Sequence, residues 1–224
     1  MLVIYICLFY YMFSRIYIGG GQNVSLEYSL LGFLSERARS GYDLKTRCFD
    51  HAARAFWTAD QAQIYRTLER LKDSKLVTST RKRQTGKPDR KVYAITLAGR
   101  DALASWTSVP APLPAPREPF LLQLFFSAGM DDAELTVLLA GRRGLHQARL
   151  DDLREQAIAL SRDHALDART SALRQVAFDG AIAAERAAID WLDDTLDSIS
   201  RGLMPGAAGL EPGAQNPLFG WAPA

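Results

Sequence analysis

Of the 224 residues only two are cysteine and three are histidine. Cys7 and Cys48 offer no disulfide framework and no metal-ligand spacing. Cys48 reads as a small apolar residue on a packed helix face. His51, His146 and His164 lie far from one another and from any acid or thiol motif. A glycine-rich phosphate loop, a paired-carboxylate signature and a nucleophile elbow are all missing, and Gly19-Gly20-Gly21 lacks the later glycine and lysine of a phosphate loop. With no catalytic constellation, the chain is not expected to be an enzyme or to carry a metal or an organic cofactor. An excess of charge of one sign is lacking as well: 27 Lys and Arg face 25 Asp and Glu, for a net charge of +2. That balance decides nothing about partners, because a local basic patch binds phosphate even in a nearly neutral protein. What is present is 48% hydrophobic and 23% charged residues, the composition of a folded globular protein. The length exceeds what one compact domain needs, so two domains are expected.

The first 23 residues stand apart. Residues 1–13 are all apolar or aromatic, Ser14 and Arg15 interrupt the run, and Ile16 to Ile18 resume it. A membrane span needs about 20 apolar residues. A signal peptide would open with positive charge and close on a small-residue cleavage site. Three readings compete for this apolar extension: a short membrane anchor, a buried N-terminal segment, and a start site assigned too far upstream. The third is preferred. Val24 opens the first well-patterned helix, valine is encoded by the alternative bacterial start codon GTG, and three glycines imply G-rich DNA of the kind that binds ribosomes. Membrane is therefore not an expected partner.

From Ser25 the pattern is regular. Ser25 is a candidate N-cap with Glu27 in the first turn, and Leu26, Leu30, Phe33 and Leu34 recur at helical spacing over 25–37. Ser40 and Gly41 break the run, and a short second helix is expected from about Tyr42 to Phe49. Phe56 and Trp57 are bulky core candidates. Thr58 is a candidate cap, with Gln61 placed for a capping box. From there to Ser74, Ile64, Leu68 and Leu71 form a narrow apolar stripe opposite a broad polar face, which suits a helix that docks on one side and presents the other. The period then changes. Leu76 to Thr80 and Val92 to Ile95 have strand character. Between them Arg81 to Lys91 hold six basic residues and one acid, with Gly86 and Pro88 to make the turn. Thr96 can cap a helix from Leu97 to Trp106.

Three helices, a two-stranded ribbon with a basic tip and a further helix are the order of a winged helix-turn-helix. A helix fits the major groove of DNA, its first turns reach base edges, and a cationic ribbon lies against phosphates. Residues 108–119 then change character: Pro110, Pro112, Pro114, Pro116 and Pro119 make a stiff linker. Residues 120–200 contain no further proline and read as helical. A short apolar helix covers 120–126. Asp131 and Asp132 can cap a long helix to about Leu160, with Leu135, Leu138, Leu139, Leu145, Leu150 and Leu153 as apolar positions. A last helix from Thr170 to Ile199 carries Leu173, Val176, Ile182, Ile189, Leu192 and Leu196. Long amphipathic helices need a partner for their apolar faces, and a second copy of the chain is preferred over a self-contained hairpin. Residues 201–224 are rich in Gly, Ala and Pro and read as a disordered tail. The expected organisation is thus an apolar extension (1–23), a winged-helix domain (24–107), a Pro-rich linker (108–119), a helical dimerisation domain (120–200) and a tail. The fold class is mainly α with a small two-stranded β-wing.

Residues 25–106 resemble the PadR family of bacterial transcriptional regulators. The resemblance rests on Leu26-Glu27-Tyr28-Ser29-Leu30-Leu31-Gly32-Phe33-Leu34, Ser40-Gly41-Tyr42-Asp43-Leu44, Gln63-Ile64-Tyr65-Arg66-Thr67-Leu68-Glu69-Arg70-Leu71 and Leu76-Val77. Gly86-Lys87-Pro88-Asp89-Arg90-Lys91-Val92-Tyr93-Ala94-Ile95-Thr96, followed by Gly99, completes it. The order and spacing carry the match rather than any single piece. Residues 118–199 are similar, less closely, to the helical domain of the larger members, including Trp191-Leu192. Lys75 departs from the pattern, which often has glycine before Leu-Val, and an altered turn is expected there. The resemblance implies a cytoplasmic homodimer that binds double-stranded DNA at a pseudo-palindromic operator and represses transcription. It makes the helix from Thr58 to Ser74 the recognition helix. Thr58, Gln61, Gln63, Tyr65 and Arg66 are then the candidate base or phosphate contacts, since Gln reads adenine and Arg reads guanine. Arg81, Lys82, Arg83, Lys87, Arg90 and Lys91 would neutralise phosphates from the wing. Some members respond to small aromatic compounds, and Phe56, Trp57, Phe125, Phe126 and Trp191 are the candidates to line an effector pocket. Two other readings stay open: a membrane-tethered regulator anchored by residues 1–18, and a helical protein–protein adaptor whose winged domain has lost DNA binding.

Overall fold

The computed structural model describes residues 21–83, 90–112, 117–162 and 166–203, of 21–25 the backbone only. The expectations for most of the apolar extension, for the Gly86–Pro88 turn, for part of the linker and for nearly all of the tail lie outside the described residues. Two compact units, residues 1–113 and 114–224, divide the chain.

The first unit opens with helix α1 (Gly21–Glu36), which starts earlier than the expected Ser25 cap. No proline stands between Gly21 and Glu36, so the serine is carried inside the helix. Leu26, Leu30, Leu31 and Leu34 of its inner face are almost wholly buried. Strand β1 (Arg39–Ser40) follows. Ser40 then caps α2 (Gly41–Asp43) in a capping box with Asp43, and the helix runs on with π-helical geometry over Leu44–Ala52. That wider winding ends where the Ala53 N–H donates to the Cys48 carbonyl at 2.8 Å, a five-residue step. The second helix is therefore longer and wider than its apolar spacing suggests.

Helix α3 (Gln61–Asp73) buries Ile64, Thr67, Leu68 and Leu71 against α1 and α2. Each apolar side chain of this kind contributes about 1.5–3 kcal/mol on leaving water. Strands β2 (Val77–Lys82) and β3 (Arg90–Ile95) pair antiparallel, from Val77 opposite Ile95 to Lys82 opposite Arg90. β1 joins the far edge of β3, Arg39 opposite Tyr93 and Ser40 opposite Val92. The sheet thus has three strands in the order β1-β3-β2 rather than the two expected. The third strand went unforeseen because two residues carry no alternating pattern. Arg39 is instead held by its side chain, donating to the Phe33 carbonyl at 3.2 Å and to Glu36 at 2.5 Å.

Helix α4 (Leu97–Thr107) is capped by Thr96, whose Oγ1 accepts from the Gly99 N–H at 3.0 Å. Trp106 of α4 stacks on Tyr28 of α1, ring centroids 5.0 Å apart and nearly parallel.

The second unit holds α5 (Pro119–Phe125), α6 (Asp132–Ser161) and α7 (Ala168–Ser200). Asp131 caps α6 in a capping box with Glu134, and Asp167 caps α7. Ion pairs Arg143–Asp193 and Arg149–Glu185 lock α6 and α7 antiparallel, since the partner number falls as the other rises. Phe120, Leu139, Leu192 and Ile199 form a small core, with Trp191 partly buried against it. Leu145, Leu173 and Val176, expected on the apolar faces, are more than half exposed.

Candidate nucleic-acid interface

The first turn of α3 is set by Asp60, not Thr58. The Asp60 Oδ1 accepts from the Gln63 N–H at 2.7 Å, and the Gln63 side chain accepts from the Asp60 N–H at 3.3 Å. Such a cap contributes about 1 kcal/mol and fixes where the helix begins. Thr58 lies outside the helix and is exposed, and Gln61 is its first residue rather than the far half of a capping box. Gln63 spends its side-chain oxygen on the cap. Gln61, Gln63, Tyr65 and Arg66 are all exposed.

Tyr65 is placed by a neighbouring glycine. Gly41 is buried, and a Cβ there would lie 2.6 Å from Cε1 of Tyr65. The ring therefore packs on the first residue of α2, and about a third of the side chain stays in solvent. A side chain at position 41 would displace the ring, so Gly41 helps to set where the Tyr65 phenol lies on the surface.

The basic segment divides in two. Arg81, Lys82 and Arg83 are exposed at the outer end of β2. Lys87 lies outside the described residues. Arg90 and Lys91 turn back onto the helices. Arg90 donates to Ser40 Oγ at 2.9 Å and forms an ion pair with Asp43. Lys91 donates to Glu69 of α3 at 2.5 Å. The register sets Arg81 opposite Lys91 and Lys82 opposite Arg90, and like charges so placed repel. The two inward ion pairs offset that repulsion.

These pairs move the titration of the acids. Desolvation alone would raise the Asp43 carboxyl, but hydrogen bonds from the Ser40 side chain and backbone and from Arg90 outweigh it and hold it below its usual value. Glu69 is lowered to about 2 by hydrogen bonds from Lys91, Tyr93 and Lys72. Tyr93 is raised by burial and by its bond to the Glu69 carboxylate, so its hydroxyl remains a donor. Asp60, Asp43 and Glu69 escaped the sequence reading. For Asp60 the signal was there, in an Asp-x-x-Gln box overlapping the Thr-x-x-Gln one. For Asp43 and Glu69 the partners lie 47 and 22 residues away.

The candidate effector residues fall in different units. Phe56 and Trp57 line a cavity of about 750 Å³ at the start of α3, together with Lys45, Thr58 and Gln61. Phe125 and Phe126 are more than three-quarters exposed and pack edge to face at the end of α5. Among the described residues no group of His, Cys, Asp and Glu could hold a metal, and no helix is long and apolar enough to cross a membrane.

Comparison with known proteins follows this division of the chain. A family model described as transcriptional regulator PadR-like matches residues 30–105, and one described as virulence activator alpha C-term matches residues 116–200. A probable transcriptional regulator of Mycobacterium tuberculosis is 34% identical over 194 residues, covering 79% of this chain and 98% of the relative. The negative transcriptional regulator PadR of Bacillus subtilis is 32% identical over 129 residues, covering 57% of this chain and 70% of that protein. Crystal structures of the Bacillus PadR are similar in fold. Its complex with operator DNA gives a TM-score of 0.69 at 26% identity, covering 78% of this chain and 99% of that one. Its complex with p-coumaric acid gives 0.68 at 25% identity, covering 80% and 97%.

Proposed function

This chain belongs to the PadR-like family of transcriptional regulators, and from that premise we propose that it is a repressor that binds a pseudo-palindromic operator as a homodimer. The observation that carries the reading is the exposed polar N-terminal half of α3, with the exposed cationic end of β2 in the same unit. Gln61, Tyr65 and Arg66 meet base edges or the flanking backbone in the major groove, with Gln63 offering the amide nitrogen that its cap leaves over. Thr58 and the helix start meet the phosphate at the groove's edge. Arg81, Lys82, Arg83 and Lys87 neutralise phosphates along the wing. Arg90 and Lys91, engaged with Asp43 and Glu69, support the wing from behind.

Dimerisation is assigned to α5, α6 and α7, which leave Val137, Leu145, Ile158, Leu173 and Val176 uncovered within one chain. Two copies would match two half-sites about 34–36 Å apart. Release by a small aromatic effector is the third part of the proposal. The p-coumaric acid complex of the Bacillus protein supports it, as do the aromatic residues Phe56 and Trp57 at the cavity beside α3.

The test is fluorescence anisotropy of the full chain on the DNA upstream of its own gene and on a scrambled duplex of equal length, across a range of salt. Log affinity should fall linearly with log salt, and the upstream DNA should bind more tightly at every salt concentration. Absence of salt-sensitive binding to either duplex would sink the DNA reading and favour a protein–protein adaptor.

A further inference from the structure

Glu69 carries the wrong charge for a surface that meets DNA. It follows Tyr65 by four residues, so the two share one side of α3. A carboxylate there repels phosphate, and it is compensated on three sides. Its Oε1 accepts from Lys91 Nζ at 2.5 Å and from the Tyr93 hydroxyl at 2.8 Å, and its Oε2 accepts from Lys72 Nζ at 3.0 Å. Lys91 and Tyr93 stand two apart on β3 and therefore point to one face, which lets a single carboxylate take both. The Lys91 ammonium also lies 5.3 Å from the centre of the Tyr93 ring. Tyr93 is 1% exposed, so the arrangement is anchored in the core. Its neighbour Arg90 is tied to Ser40 and Asp43. β3 is thus latched to both helices of the helix-turn-helix, while Arg81, Lys82 and Arg83 at the outer end of β2 face solvent.

We propose that Glu69 is a positioning residue for DNA reading. By clamping Lys91 and Tyr93 it fixes the angle between wing and recognition helix. It also withdraws Lys91 from the cations that meet phosphate and leaves that task to the exposed cluster on β2. The proposal rests on the DNA-binding reading above.

The experiment compares variants of the full chain on the upstream and scrambled duplexes over the same salt range. Glu69→Gln keeps the size and an acceptor for Tyr93 but gives up the charge that holds Lys91. Its affinity for the scrambled duplex should rise, and its salt slope should steepen by about one per chain as Lys91 reaches phosphate. Its preference for the upstream DNA should fall several-fold, because the wing is no longer held in register. Lys91→Met keeps an unbranched side chain of similar length without the charge and should leave the slope at the wild-type value. Arg81→Ala should flatten the slope by about one. A variant that merely folds poorly lowers the active fraction and leaves the slope intact, so the slope separates positioning from a structural role. A wild-type slope in Glu69→Gln overturns the clamp, and so does a slope flattened by about one in Lys91→Met. Wild-type chain that binds no DNA overturns the functional reading instead.

Discussion

Lys75 has a φ of +61°, and among the described residues it is alone among non-glycines in the left-handed region. The hydrogen bonds around it explain why the chain holds that conformation. Leu76 N–H donates to the Leu71 carbonyl and Lys75 N–H to the Lys72 carbonyl, each at 2.9 Å, which closes α3 with the paired bonds of a Schellman turn. The turn is also pinned from outside. Thr96 N–H donates to the Leu76 carbonyl at 3.0 Å, and a Cβ on Gly99 would lie 2.2 Å from that same oxygen. The sequence shows the departure, a lysine where the resemblance calls for glycine, but not its consequence: the turn is kept and the side chain bears the strain. A left-handed non-glycine costs about 1–2 kcal/mol, partly offset by the freedom that glycine has in the unfolded chain. Lys75→Gly should therefore stabilise the winged unit by about 0.5–1 kcal/mol, read as a rise of a few degrees in its melting temperature by calorimetry. An unchanged or lower melting temperature would remove the argument.

At the scale of elements, periodicity was legible, caps only in part (Thr96 and Asp131 cap as expected, Ser25 and Thr58 do not), and long-range pairs were not. The stripe Ile64, Leu68, Leu71 located α3 because helical spacing is local information. Its start was ambiguous because Thr58 and Asp60 each have a glutamine three residues on, and local spacing does not decide between them. The cationic segment was legible as a charge run. Its division into an outward part and an inward part was not, because that depends on the register of β2 on β3 and on acids in distant helices. The clamp at Glu69 has a consequence for stability. Its carboxyl is lowered in the folded chain to about 2 from an ordinary 4.5. A group depressed on folding adds stability at pH above its unfolded value, and that share is lost as the pH falls toward the folded value. The stability difference between wild type and Glu69→Gln, measured by urea unfolding, should be constant from pH 7 to about 5. It should then shrink between about 4.5 and 2. The side chain is 44% exposed, so solvent screening keeps the difference small. A difference independent of pH across that window would mean that the charge does not matter to the fold.

At the scale of the whole chain, the apolar surface left uncovered on α6 and α7 bears on the proposed self-association. Val137, Leu145, Ile158, Leu173 and Val176 range from 52% to 74% exposed on α6 and α7. Sequence periodicity marked Leu145, Leu173 and Val176 as apolar positions but could not say what covers them. The antiparallel pairing of α6 with α7 covers one face of each helix and leaves these residues outside it. Ile158 and Val176 fall at the same level of the pair, given the Arg149–Glu185 register. Exposed large apolar side chains along one helix pair mark a candidate interaction surface, and on the dimeric reading proposed above a second copy of the chain is its occupant. Linking two reading heads raises the effective concentration of the second, so loss of the dimer costs more in operator affinity than in non-specific affinity. Val176→Glu, exposed in the single chain, should leave helix content unchanged by circular dichroism. It should weaken self-association by about ten- to a hundredfold in sedimentation equilibrium, the range expected of a buried interface contact worth about 1.4–2.8 kcal/mol. Affinity for the full operator should fall with it, while affinity for an isolated half-site should hold. If Val176→Glu, Leu145→Glu and Ile158→Glu each dimerise like the wild type, this face is not the interface, and the two-fold reading of the operator must be built on another surface.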